Sequence, residues 1–154
     1  MIWNILEPEP GTSMIGAARE HAPECCFNVR VTHASGMLEG KYNEDTVFPA
    51  NDHRRHRPRS WLVNGIRKVG TLDFLTTHMT LGQAALKWIL AEPAVVTALP
   101  NIYDSAQLAE FAEAPDKPDL AAAEMEKVSA LAKRNFGVDE EPMSYKGTMD
   151  RVTA

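Results

Sequence analysis

Cysteine is scarce in this chain and oddly placed: there are two in 154 residues, and they are neighbours, Cys25-Cys26. Adjacent cysteines rarely bridge, so a secreted disulfide scaffold is excluded and a reducing cytoplasm is the expected compartment. They also lack the C-x-x-C spacing of a redox pair, and ordinary burial is expected of both. Long apolar runs are missing too. No stretch approaches the roughly 20 residues that cross a bilayer, so no membrane partner is expected. The start, Met1-Ile2-Trp3-Asn4, has no basic segment leading into an apolar one, so no secretory signal is expected.

Positive charge is in deficit. Sixteen Lys and Arg stand against 21 Asp and Glu, a net charge of −5. Residues 1–77 balance at nine and nine, whereas residues 78–154 carry seven basic and twelve acidic side chains. A nucleic-acid partner is therefore not expected. The local exception is His53-Arg54-Arg55-His56-Arg57-Pro58-Arg59, for which a solvated loop is the leading reading and an anion- or nucleic-acid-binding loop the lesser one. His53 and His56 have no third or fourth ligand arranged nearby, so no metal site is expected. The remaining composition, 44% hydrophobic and 24% charged, is that of a folded domain. Its length suits one domain with a core and is too short for two.

Along the chain, residues 1–6 form a short apolar run stopped by Pro8, Pro10 and Gly11, and read as a buried strand or the end of one. Residues 12–21 have helical spacing, with Thr12 or Ser13 as cap. Residues 27–33 alternate apolar and polar and read as a strand. The stretch 34–60 has no period, and a loop that long is usually functional or disordered. Helical spacing returns over 61–75. Thr80-Leu81-Gly82-Gln83 is a capping box that opens a helix with Leu81, Ala85, Trp88 and Ile89 on one face. Residues 95–99 form a strand between Pro93 and Pro100. Asp104-Ser105-Ala106-Gln107 opens another helix, and a last one runs over about 120–135 with Gly137 as its C′ residue. Alternating strands and helices argue for parallel strands with helices outside. Trp61, Trp88 and Phe111 read as core residues. Three strands leave two open edges and little apolar area.

Five segments resemble the C-terminal half of the aldo-keto reductase family. They are NILEPEPG at 4–11, HASGMLEGKY at 33–42, FPANDHRRHRPRSWL at 48–62, the run from Met79 to Phe111, and YKGTM at 145–149. Any one alone would be weak; the same motifs in order over most of the chain are specific. The resemblance implies an α/β fold, a partial (β/α)8 TIM barrel holding the last three parallel strands with flanking helices. On that basis residues 1–136 form the C-terminal half of the barrel and 137–154 an irregular tail.

The family reduces aldehydes and ketones with NADPH, using a Tyr as general acid, a Lys and an Asp that tune it, and a His that orients the carbonyl. A phenol with pKa near 10 donates poorly at neutral pH unless a cation stabilises the phenolate. Those four residues come from the second to fourth strands, which no segment here matches. Tyr42, Tyr103 and Tyr145 all sit in C-terminal-half motifs, so no catalytic residue is expected and the chain alone is expected to be inactive. What the resemblance carries over is a cradle for NADP(H). Gly36, Met37, Leu38, Gly40 and Lys41 are implied at the pyrophosphate, where glycines admit backbone amides and Lys supplies charge. Pro100, Asn101, Ile102, Gln107 and Glu110 are implied at the adenosine end, beside a helix amino terminus.

There are departures. Tyr103 and Phe111 stand where many members carry Arg and Asn, Arg30 where many carry a ring that stacks on nicotinamide, and Ala121 where relatives have a hydroxyl cap ahead of Glu124. The alternative reading is a non-catalytic half-barrel that serves as a binding or assembly module, completed by an N-terminal half on a partner chain or by self-association.

Overall fold

The computed structural model describes residues 1–139. Its elements, in order, are α1 (Gly11–His21), β1 (Phe27–Arg30), α2 (Arg59–Gly70), α3 (Leu81–Leu90), β2 (Val95–Leu99), α4 (Ser105–Ala112) and α5 (Ala122–Lys133). Single 3₁₀ turns lie at Met37–Glu39, His53–His56, Asp73–Thr76, Ala114–Asp116 and Asn135–Gly137. The expected tail beyond residue 139, with Tyr145 and the motif at 145–149, lies outside the described residues.

The centre is α3. Its capping box forms as the spacing requires: the Thr80 hydroxyl accepts from the Gln83 amide, and the Gln83 side-chain oxygen accepts from the Thr80 amide. Apart from Lys87, its sequence is uncharged and rich in small and aliphatic residues, so nearly the whole surface can be buried. Leu81, Ala84, Ala85, Leu86, Trp88 and Ile89 all are. Trp88 meets Trp3 with ring centroids 4.2 Å apart.

β1 and β2 pair in parallel, with α2 and α3 between them in the chain. Asn28 pairs with Thr97, Val29 with Ala98 and Arg30 with Leu99. The register slips between Phe27 and Asn28, leaving Val96 as an extra residue, as in a bulge. Val29 and Val95 face the core, whereas Asn28, Arg30 and Leu99 are exposed on the other side. The result is an α/β fold built on a two-stranded parallel sheet. Among the described residues, no helix is long and apolar enough to cross a membrane.

Several expectations are corrected. Residues 1–6 form no third strand: Ile2 makes one parallel bridge to Arg30, and Asn4 bridges Glu7. The reason is Asn4, fully buried, whose side chain accepts from the Leu6 and Glu7 amides and donates to the Val31 carbonyl. Such a side chain turns the backbone in place of a ladder. The strand expected over 27–33 stops at Arg30, because Val31 has φ 59°. Neither Thr12 nor Ser13 caps α1. The Glu9 carboxylate takes the Ser13 amide, and Thr12 is occupied by the Trp3 indole N–H and the Pro8 carbonyl. The helix expected over 61–75 is α2 plus a separate turn, broken after Gly70. Gly137 does not terminate α5, since Asn135 and Phe136 take the first left-handed positions, held by burial of the Phe136 ring. Cys25 and Cys26 are exposed and not buried. They precede β1 in a segment that no helix covers.

Candidate functional site

Both strands end on the same side of the sheet, and the loops leaving them meet there. In parallel sheets this carboxyl end is where ligands bind. The first loop turns sharply: Ala34, Ser35 and Gly36 have φ of 48°, 59° and 91°. A 3₁₀ turn follows over Met37–Glu39, and Gly40 leaves it at φ 69°. The second loop begins at Pro100 and runs into α4. Between them lies a cleft of about 350 Å³ whose wall includes Arg30, His33, Gly36, Glu39, Asn101 and Tyr103.

The first loop is held from below. The His33 carbonyl accepts from the Gly36 and Leu38 amides, and the Glu39 and Gly40 amides donate to Gly36 and Met37 carbonyls. These donors are consumed within the turn. His33 is buried, and its Nε2 lies 3.0 Å from the Gly82 carbonyl. A carbonyl only accepts, so Nε2 carries the proton and Nδ1 faces the Thr32 hydroxyl at 3.3 Å. The ring stacks on Phe111, with centroids 4.5 Å apart. Burial is the main cause that pushes the His33 pKa down.

The second loop is tied to α4 and α3. Asp104 Oδ1 accepts from the Gln107 amide at 2.8 Å, and Gln107 Oε1 accepts from the Tyr103 amide at 2.9 Å. Glu110 Oε1 accepts from the Thr80 hydroxyl, and the Glu110 carbonyl accepts from Gln83 Nε2.

Arg54 joins the two loops. Its guanidinium grips the Asp52 carboxylate, donates to the Tyr42 hydroxyl and lies over the rings of Phe48, Tyr42 and Tyr103 at 5.0, 5.7 and 5.9 Å. The Arg54 hydrogen bonds hold the Asp52 carboxyl down to about 2 and raise the guanidinium pKa in turn. Burial pushes the Tyr42 phenol up.

The sequence profile of the aldo/keto reductase family matches residues 4–133. The chain belongs to this family. A probable voltage-gated potassium channel subunit beta from Arabidopsis thaliana is 27% identical over 121 residues, covering 73% of this chain and 36% of that protein. The fold is similar to the glycerol dehydrogenase of Gluconobacter oxydans, with TM-score 0.73 and 19% identity over 93% of this chain and 44% of that one. It is also similar to the apo form of an aldo-keto reductase from Bacillus halodurans, with TM-score 0.60 and 22% identity over 86% and 42%. The aldo/keto reductase chain thus spans less than half the length of these relatives.

In this family member, the residues implied for the cofactor fall into three groups. Gly36, Pro100 and Asn101 line the cleft. Gly40, Lys41 and Ile102 are exposed at the ends of the two loops, with Lys41 Nζ 3.7 Å from Glu39. Met37 and Leu38 point into the core, Gln107 holds the second loop through the Tyr103 amide, and Glu110 ties α4 to the start of α3. Sequence reasoning missed His33 and Arg54. His33 stood inside a quoted motif with nothing local to mark its ring. Arg54 was read as part of a solvated basic run, although Asp52 two residues earlier was the available signal.

Proposed function

We propose that this aldo/keto reductase chain supplies the cofactor-binding part of an NADP(H)-dependent carbonyl reductase, as the last strands of a (β/α)8 barrel. The observation that carries this reading is the convergence of the two loops on one cleft at the carboxyl end of the parallel sheet. The residues suit a dinucleotide. A Cβ on Gly36 would fall on the Tyr42 hydroxyl, so the first loop approaches the cleft as bare backbone. Lys41 is 57% exposed, and on this reading it exchanges its contact with Glu39 for a pyrophosphate oxygen. Gly40 leaves room beside it. Pro100, Asn101 and Ile102 form the shelf for the adenosine end, and Gln107 and Glu110 keep that shelf in place. Met37 and Leu38 anchor the first loop from the core side.

When bound, the nicotinamide supplies a hydride for a carbonyl. The residues of this chain bind and orient the cofactor. The proton donor lies elsewhere in the family fold. Tyr42 is spoken for by Arg54 and the Ser35 carbonyl, and its raised pKa makes it a poorer acid. On this reading the chain alone is inactive on carbonyls. The test is a thermal melt of the purified chain with and without NADPH. Ligand at about 100 times its dissociation constant adds about 2.7 kcal/mol to the folded state and raises the midpoint by several degrees. A cooperative melt with no shift overturns the cofactor reading.

A second reading is favoured by the sheet. Among the described residues β2 pairs only with β1, and Val96 and Leu99 on it are 61% and 53% exposed. A parallel sheet this small and this open suits a module completed by a partner chain or a second copy. A folded, strictly monomeric species in sedimentation velocity with no affinity for an N-terminal half of the family barrel would count against it.

A further inference from the structure

We propose that Cys25 and Cys26 form a two-thiol chelating site for a trivalent thiophile of the organoarsenical type, at the end of the sheet opposite the cleft. Neither cysteine is in a disulfide and both are exposed, with the Cys26 thiol donating to the Glu24 carbonyl at 3.7 Å. The chain leaves α1, closes a turn with the Cys25 amide donating to the Ala22 carbonyl at 2.8 Å, and enters β1 at Phe27. The cleft loop departs from the far end of that strand, after Arg30. The inference therefore does not rest on the cofactor reading.

The adjacency of the two residues in the chain favours chelation over a disulfide. Successive Cα atoms lie about 3.8 Å apart, below the usual span of about 4.4–6.8 Å for a bridged pair. A direct S–S bond between neighbours is strained, which keeps the pair reduced. Placing one atom between the two sulfurs lengthens the bridge and removes that limit. Because both thiols sit on one short segment, the second sulfur attacks at high effective concentration. A metal ion that needs three or four donors is not favoured. Among the described residues, no group of three or more His, Cys, Asp or Glu is gathered to hold one.

The reaction balances without an oxidant. An arsenic(III) oxide R–As=O meets two thiols. The As=O bond and two S–H bonds break, two As–S bonds form, and both protons leave with the oxygen as water. Arsenic remains trivalent and neither sulfur is oxidised.

The probe is phenylarsine oxide added to the purified full chain. Since the chain has two cysteines, intact mass and thiol titration read the site alone. The expected result is one arsenical per chain with both thiols consumed. That adduct should survive excess 2-mercaptoethanol and be released by dithiothreitol. Cys25→Ser and Cys26→Ser should each give an adduct that 2-mercaptoethanol strips at least about a hundredfold more readily. Both positions are exposed, so the variants should melt as the parent does. Binding of two arsenicals per chain, consumption of one thiol per arsenical, or equal stripping of parent and variants would overturn the proposal.

Discussion

Gly36 in the cleft is a position built for glycine. Its φ of 91° is a left-handed value, and an added Cβ would meet the Tyr42 hydroxyl and come within 3.1 Å of an Arg54 nitrogen. Gly36→Ala should therefore cost about 1–3 kcal/mol, read as a lower urea midpoint, and should loosen the Arg54 clamp. His33 sets a pH dependence. Its pKa is lowered on folding, so the folded state holds the neutral ring while the unfolded chain takes up a proton below about 6.5. The His33 contribution is full above that value and is lost as pH falls through the folded pKa. Urea midpoints measured from about pH 8 down to about pH 5 should fall more steeply for the parent than for His33→Gln. Glu39, raised mainly by burial, acts in the opposite direction but is common to parent and variant, so the difference between them reports His33. None of these contacts was legible in the sequence. The partners of His33 are Gly82 and Phe111, and those of Arg54 include Tyr42 and Tyr103, so the spacing along the chain says nothing about them.

At the scale of elements, caps were the most readable feature. The Thr80 box and the Asp104 cap both form, because each bond closes within three residues. The second differs in detail, with Gln107 reaching the Tyr103 amide and not that of Asp104. The missing hydroxyl at Ala121 is equally visible: no side-chain oxygen caps the α5 amino terminus, although Glu124 accepts from the Ala121 amide at 2.7 Å. Ala121→Ser should supply that oxygen and stabilise the chain by about 1 kcal/mol, seen as a higher urea midpoint with an unchanged slope. α1 was misread because its cap comes from Glu9, a long carboxylate reaching over Pro10, where a short hydroxyl was expected. The first strand was misread because an apolar run hid Asn4, whose buried amide builds a turn.

At the largest scale the described residues are organised around a buried α3 and a sheet whose β2 edge none of them pairs with. Val96 is the exposed residue of the register slip, on a strand that has no charged side chain. Natural edges are usually blunted by charge. Val96→Lys should weaken any self-association or capture of a complementing half by at least about tenfold in sedimentation velocity, while the melt of the isolated chain moves little. The family was legible at this scale because its motifs recur in order, and residues 4–133 match its profile. The sequence by itself determined the bounds of β2, the capped starts of α3 and α4, the glycine-bearing loop after β1 and the membership of the family. The first three rest on hydrogen bonds or patterns that close within a few residues, and the family rests on motifs that recur in order along the chain. The tertiary structure alone decided that Met37 and Leu38 turn inward, that Glu110 ties α4 to α3, that Arg54 joins the two walls of the cleft, and that the paired cysteines are exposed. Burial and charge pairing depend on which distant segments pack together, and that is set by the fold of the whole chain.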